Sequence, residues 1–137
     1  MNEVIPEYAG GFLFDRSNQT ILIHLRDHNT NFSPGRWSFF GGLCESGETP
    51  KEAFVREMNE ELSLNVPLIS AIHLRSYRYE KLNTIRHIFY VESELKKTYM
   101  TLREGADFDW VALDVVFSYD ITSATRHDIK FFIDCIL

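Results

Sequence analysis

Residues Gly41–Leu64 read GGLCESGETPKEAFVREMNEELSL. Six acidic side chains fall in this stretch, and three of them, Glu57, Glu60 and Glu61, lie within five positions. The same stretch holds the clearest helix signal in the chain. Thr49 suits an N-cap, Pro50 the first helical position, and Glu52 the capping-box offset from Thr49. Phe54, Val55, Met58 and Leu62 recur at the helical period and predict a core-facing stripe. Asn65-Val66-Pro67 ends the element. Glu57 lies four residues from Glu61 and three from Glu60, so the three share one face, an arc of about 100° opposite Val55 and Leu62. An apolar and a carboxylate stripe are thus expected back to back, with the small Ala53 leaving room one turn before Glu57.

Like charges at this spacing repel. A solvated helix face is the ordinary setting for such a cluster, but such faces usually mix signs, and here Glu pairs with Glu. An upstream loop is expected to carry Gly41, Gly42 and Gly47, where carbonyls can approach a ligand. Glu45 and Glu48 extend the acidity into that loop. Carboxylate and carbonyl oxygens of this kind suit a hard divalent cation such as Mg²⁺, for which Mn²⁺ can substitute. The cation would offset the repulsion, bridge to phosphate oxygens and acidify a bound water.

The surrounding chain sets limits on function. Its 137 residues suit one domain, residues 1–137, large enough for a real core. Apolar content of 45% and charged content of 25% are ordinary for a soluble protein. A net charge of −6 argues against an extended nucleic-acid surface but not against a phosphorylated small molecule bridged by a cation. Cys44 and Cys135 provide neither zinc spacing nor a disulfide framework. With no signal peptide and no membrane-spanning run, the expected location is the cytoplasm, as a monomer or homodimer with no membrane partner.

Phe12 and Phe14, a turn over Asp15–Asn18, then Ile21, Ile23 and Leu25 predict a strand pair. Residues 28–37 predict a loop. Two longer strands follow around a turn at Glu80–Asn83, with Tyr77 and Tyr79 alternating in the first. Residues 100–113 predict a loop and a short strand. Ile129, Phe132, Ile133 and Ile136 predict a final helix. The expected class is α/β: an α/β/α sandwich with a central mixed β-sheet flanked by helices.

The stretch resembles the Nudix box, G-x5-E-x7-R-E-U-x-E-E-x-G-U with U a bulky aliphatic residue. Gly42, Glu48, Arg56-Glu57, Met58, Glu60-Glu61 and Leu64 fill eight of its nine defined positions. The resemblance implies a one-domain, MutT-type Nudix hydrolase that uses Mg²⁺ to cleave a pyrophosphate bond in a nucleoside diphosphate derivative, a nucleoside triphosphate or modified nucleotide first of all. Nucleotide sugars, dinucleoside polyphosphates, RNA 5′ ends and a non-catalytic nucleotide-binding role are the alternatives. By position, the Gly41 carbonyl, Glu57, Glu60 and Glu61 are implied as the metal-binding set. Arg56 is implied to orient the box carboxylates, and Glu48 to support the loop. The late segment EGADFDW, Glu104–Trp110, resembles the family loop that adds an acidic residue to the metal site. Glu57 and Glu104 are therefore competing candidates for the general base.

The chain departs from the family pattern at several positions. Ser63 replaces the box glycine at the helix end. Phe40 stands where MutT-type enzymes often have proline. Thr125 or a neighbour stands near the asparagine that reads a purine on the last loop, and a threonine cannot make the two-sided amide contact. Phe32, Trp37, Tyr77 and Tyr79 are candidates to stack a base, and Arg26 and Arg86 to contact phosphates. His24, His28, His73, His87 and His127 show no ligand spacing and are expected on strands or the surface.

Overall fold

The computed structural model describes residues 4–28 and 34–137; Phe32 lies outside them. In chain order the elements are β1 (Glu7–Asp15), β2 (Thr20–Leu25), β3 (Trp37–Ser38), β4 (Phe40–Leu43), α1 (Pro50–Leu62), β5 (Ile72–Tyr79), β6 (Thr84–Glu92), β7 (Asp107–Ala112) and α2 (Ser123–Cys135). The strands form one sheet with the path β3-β2-β1-β6-β5, to which β4 adds on β1 and β7 on β2. β1 runs parallel to β6, and the other pairings are antiparallel, so the sheet is mixed.

β1 and β2 pair only near their shared turn, from Leu13↔Leu22 to Asp15↔Thr20. Beyond that point their neighbours change. β3 bonds to β2, and β4 bonds to β1, with Phe39 between the two short strands. This corrects one expectation: Gly41 and Gly42 lie inside β4, opposite Gly10 and Ala9, rather than in a loop. Bare glycine backbone there presents a strand surface that another element can approach closely.

Alternation along β1 sorts the core onto two faces. Ala9 and Leu13 join Leu22, Phe40 and Phe89 beneath α1, which contributes Phe54, Met58 and Leu62. Phe12 and Phe14 join Ile21, Ile23 and Ile88 beneath α2, which contributes Ile129 and Phe132. Phe132 meets Phe12 and Phe14 edge-on, each at 5.0 Å between ring centres. One helix covers each face, as the sandwich expectation requires. The buried row of α2 runs through Ala124, Thr125, Asp128, Ile129 and Phe132. Ile136, expected in its apolar stripe, is exposed because the helix ends at Cys135.

The start of α1 follows its sequence signals. Thr49 Oγ1 accepts from the Glu52 N–H at 3.2 Å, and Glu52 Oε1 accepts from the Thr49 N–H at 2.9 Å. The helix stops at Leu62, before Asn65-Val66-Pro67, because Ser63 turns into the left-handed region at φ 54° while its N–H still donates to the Asn59 carbonyl. A serine in that conformation is strained where glycine is not. Ser63→Gly should therefore raise stability by less than about 1 kcal/mol and leave activity unchanged, as read by urea and thermal melts. A clear loss of melting temperature would contradict this account of the helix end.

Candidate active site

The buried side of α1 comprises Ala53, Phe54, Glu57, Met58, Glu61 and Leu62. Two of the clustered carboxylates are therefore inside: Glu57 is 9% exposed and Glu61 only 2%. This corrects the back-to-back arrangement. The carboxylate row adjoins the apolar row and turns towards β4, and only Glu60 faces out. The glycine pair makes this possible. A Cβ at position 42 would run into the Glu57 carboxylate, and one at position 41 would sit 2.5 Å from the Ala9 carbonyl oxygen.

Arg56 organises the outer side of the row. Its Nε donates to Glu48 Oε2 at 2.7 Å and its Nη2 to Glu48 Oε1 at 3.0 Å, a two-pronged pairing. Its Nη1 donates to Glu57 Oε1 at 3.0 Å and Glu60 Oε2 at 3.2 Å, and Nη2 also reaches the Leu43 carbonyl. Hydrogen bonding to Arg56 holds the Glu48 carboxyl below its usual range. Glu57 is pushed up by burial, with Arg56 opposing.

Glu61 has no such cation. Burial, followed by the charges of Glu57 and Glu104, pushes its carboxyl up to about 9, against weaker opposition from the Gly41 amide and Arg26. Its Oε2 has no hydrogen-bond partner. It opens into a cleft of about 450 Å³ shared with Gly41, Arg26, His24 and Glu104. The segment carrying Glu104 is tied across this cleft. The Arg103 N–H donates to the Glu61 carbonyl at 2.8 Å and the Ala106 N–H to the Leu25 carbonyl at 2.8 Å. A separate groove of about 560 Å³, beside Asp15 and Trp110, holds none of these groups.

Among the described residues no three carboxylate or imidazole groups stand together as a ready metal cage. Arg56 holds Glu57 and Glu60 on the outer side, while Glu61 faces the cleft. The donor set nevertheless fits a hard divalent cation. An unpartnered buried carboxylate oxygen, charges that repel one another and glycine backbone at close range are what such an ion would relieve.

The candidates for substrate contact lie in different surroundings. Arg26 lines the cleft. Trp37 sits in β3 with its ring edge-on to Tyr119 at 5.4 Å. Thr125 lies in the first turn of α2 rather than in a loop, is buried, and its hydroxyl accepts from Thr122 Oγ1 at 2.7 Å. Tyr77 and Arg86 belong to a cluster that the sequence reading missed. Its centre is Asp128, which is fully buried. Asp128 Oδ1 accepts from the Tyr77 hydroxyl and from Arg75 Nη2, each at 2.8 Å, and Oδ2 accepts from Arg86 Nη2 at 2.8 Å. The Arg86 guanidinium also stacks on Tyr8 at 4.6 Å. The only signal for Asp128 was its place on the buried row of α2. Its partners lie 42 to 53 residues away in sequence. His24 is on a strand as expected, but it is 4% exposed and lines the cleft.

Residues 5–134 match the NUDIX domain family model. Nucleoside triphosphatase NudI of Escherichia coli is 32% identical over 129 residues, covering 86% of this chain and 90% of that protein. A MutT structure from work on the Aliivibrio salmonicida and Vibrio cholerae proteins superposes with a TM-score of 0.76 at 23% identity, covering 94% of this chain and 97% of that one. A bifunctional NMN adenylyltransferase/ADP ribose pyrophosphatase of Francisella tularensis, complexed with AMP and a Mn ion, gives 0.74 at 17% identity over 97% of this chain and 42% of that one. Family model, relative and fold agree with the box residues gathered around β4 and α1: the chain belongs to the Nudix hydrolase family of pyrophosphohydrolases.

Proposed function

We propose that the protein hydrolyses a pyrophosphate bond of a nucleoside triphosphate or modified nucleotide, with Mg²⁺ as its cofactor and water as nucleophile. The observation that carries this reading is the buried Glu61 carboxyl group, with its Oε2 unpartnered, facing a cleft beside Glu104 and Arg26. The name of the NudI relative, a nucleoside triphosphatase, supports the substrate class. The Mn ion with the Francisella enzyme supports a divalent cofactor.

Glu61, Glu57, Glu60 and the Gly41 carbonyl would hold the cation. When bound, Mg²⁺ neutralises phosphate charge and acidifies water. Arg56 fixes the box carboxylates, reaching Glu48, Glu57 and Glu60 at once. That contact occupies Glu57 Oε1, although burial keeps the Glu57 carboxyl raised on balance. Glu104 lies exposed on the facing loop, lines the cleft and is the general base this reading favours. Arg26, in the same cleft wall, is placed to orient a substrate phosphate. The Arg86–Asp128–Tyr77 cluster spends its hydrogen-bonding capacity internally, which favours a supporting role for Arg86 and Tyr77.

A panel of nucleoside triphosphates, nucleotide sugars, dinucleoside polyphosphates and 5′-triphosphorylated RNA, assayed with Mg²⁺, with Mn²⁺ and with chelator, tests the reading. Triphosphates should turn over only with added metal. Turnover confined to another class would reassign the substrate, and none at all would overturn the hydrolase reading.

Glu61→Gln should weaken Mg²⁺ binding strongly in calorimetry without nucleotide. It also carries a stability signature. A carboxyl whose folded pKa rises from 4.5 to about 9 contributes stability that is fully present below pH 4.5 and is lost as pH climbs towards 9. In chelator, Glu61→Gln should therefore melt above the wild type at pH 8, and the gap should close by pH 4.5. Equal metal binding, or no pH-dependent gap, would refute the assignment.

Glu104→Gln keeps shape and removes charge at an exposed loop position. The expected result is a fall in kcat of roughly 10²-fold or more with the melting temperature unchanged, and loss of the acidic limb of the pH–rate profile. A near-normal rate at limiting Mg²⁺ would return the base role to Glu57.

A further inference from the structure

His24 projects from β2 towards the α1 side of the sheet, as Leu22 does, and tilts against the Phe40 ring at 4.7 Å. Neither ring nitrogen has a hydrogen-bond partner. Among the described residues the only other buried side-chain polar atom without a partner is Glu61 Oε2. His24 and Glu61 line one cleft. Native proteins rarely leave buried polar atoms unpaired, so their gathering at one place marks a position completed by something that enters the cleft. Burial, with help from the Arg26 charge, pulls His24 down to about 4, while the Phe39 carbonyl opposes the shift without an aligned hydrogen bond. The ring is therefore neutral, with one donor and one acceptor.

The loop above the ring is fitted to it. Gly105 adopts φ +94°, and a Cβ there would sit 2.9 Å from the Leu25 carbonyl oxygen and 3.2 Å from His24 Nδ1. Backbone bonds from Arg103 and Ala106 hold the loop on either side. Between them Glu104 and Gly105 pass over the imidazole.

We propose that His24 is a positioning residue for the Glu104 loop: a buried hydrogen-bonding group beneath Gly105 that completes its bonds when the cleft fills and thereby fixes the Glu104 carboxylate relative to Glu61. The inference rests on the hydrolase reading for its effect on turnover, but the placement of the loop is measurable without turnover. His24 acts through Glu104, and Phe40 gives the ring an apolar wall that holds its plane.

Three variants and two readouts test this. His24→Phe keeps a ring of similar size and removes both nitrogens. It should lower kcat roughly tenfold to a hundredfold, the scale of a small misplacement of a catalytic group, with KM within about twofold. His24→Asn, which restores a donor and an acceptor near the Nδ1 position, should recover part of that loss. In a Glu104→Gln background, His24→Phe should cost nothing further, since the two act as one unit. Independently of turnover, with the cleft filled by Mg²⁺ and a non-hydrolysable triphosphate analogue, amide hydrogen exchange at Gly105 and Ala106 should be faster in His24→Phe than in the wild type, with the amides of α2 unchanged. If the phenyl ring disturbs folding, the pair His24→Gln and His24→Leu makes the same comparison. Unaltered kcat and exchange in the nitrogen-free variants, or a loss that adds fully to that of Glu104→Gln, would overturn the proposal. A wild type that hydrolyses no substrate would instead remove the hydrolase reading, and exchange at Gly105 and Ala106 would still decide whether His24 positions the loop.

Discussion

Two glutamates of α1 are pressed against the glycine pair of β4, which has no side chains to offer them. Glu57 and Glu61 are buried because Gly41 and Gly42 leave only backbone beneath the helix. Burying ionised carboxylates is unfavourable unless charge or hydrogen bonds compensate. The chain compensates on one side only. Arg56 binds Glu48, Glu57 and Glu60, and that side is satisfied. On the other side Glu61 faces Glu104 across the cleft with Arg26 as a weak counter-charge. An imbalance of this kind is what a divalent ion and an anionic substrate would correct together, and it explains why the acidic cluster sits at a cleft rather than on an open helix face.

The rest of the fold serves this arrangement. β1 and β2 separate beyond their turn, and β3 and β4 occupy the space between their far ends. That brings β4 under α1. The Glu104 loop is fixed by two backbone bonds to the end of α1, from Thr101 and Arg103, and another to the end of β2, so the facing carboxylate moves with the two elements that frame the cleft. On the opposite face, Asp128 joins α2 to β5 and β6 through Arg75, Tyr77 and Arg86, and Arg86 leans on Tyr8, whose hydroxyl lies next to Gly41. The glycine strand is thus supported from both sides.

Capping signals were legible because they are local. Thr49, Pro50 and Glu52 specify the start of α1 with no help from tertiary structure. Periodicity correctly placed Glu57, Glu60 and Glu61 on one arc, and the box spacing tied that arc to the glycine pair. Periodicity does not say which arc a neighbouring strand will cover, so the carboxylate row was expected to lie opposite the core. A glycine pair usually signals a turn; here it serves close packing within a strand. Asp128 and His24 were not legible as site-building residues. Asp128 gains its meaning from arginines on distant strands, and His24 from a loop some eighty residues later in the chain.

The most direct test of this account is the ionisation of Glu61 itself. Carbon-13 NMR of the side-chain carboxyl groups, assigned by comparison with Glu61→Gln and recorded in chelator across pH 4 to 10, reads it without reference to any substrate. The account predicts one buried carboxyl titrating near 9, and its conversion to the ionised form at neutral pH when Mg²⁺ is added. A Glu61 carboxyl titrating near the ordinary value of 4.5, and indifferent to Mg²⁺, would contradict it.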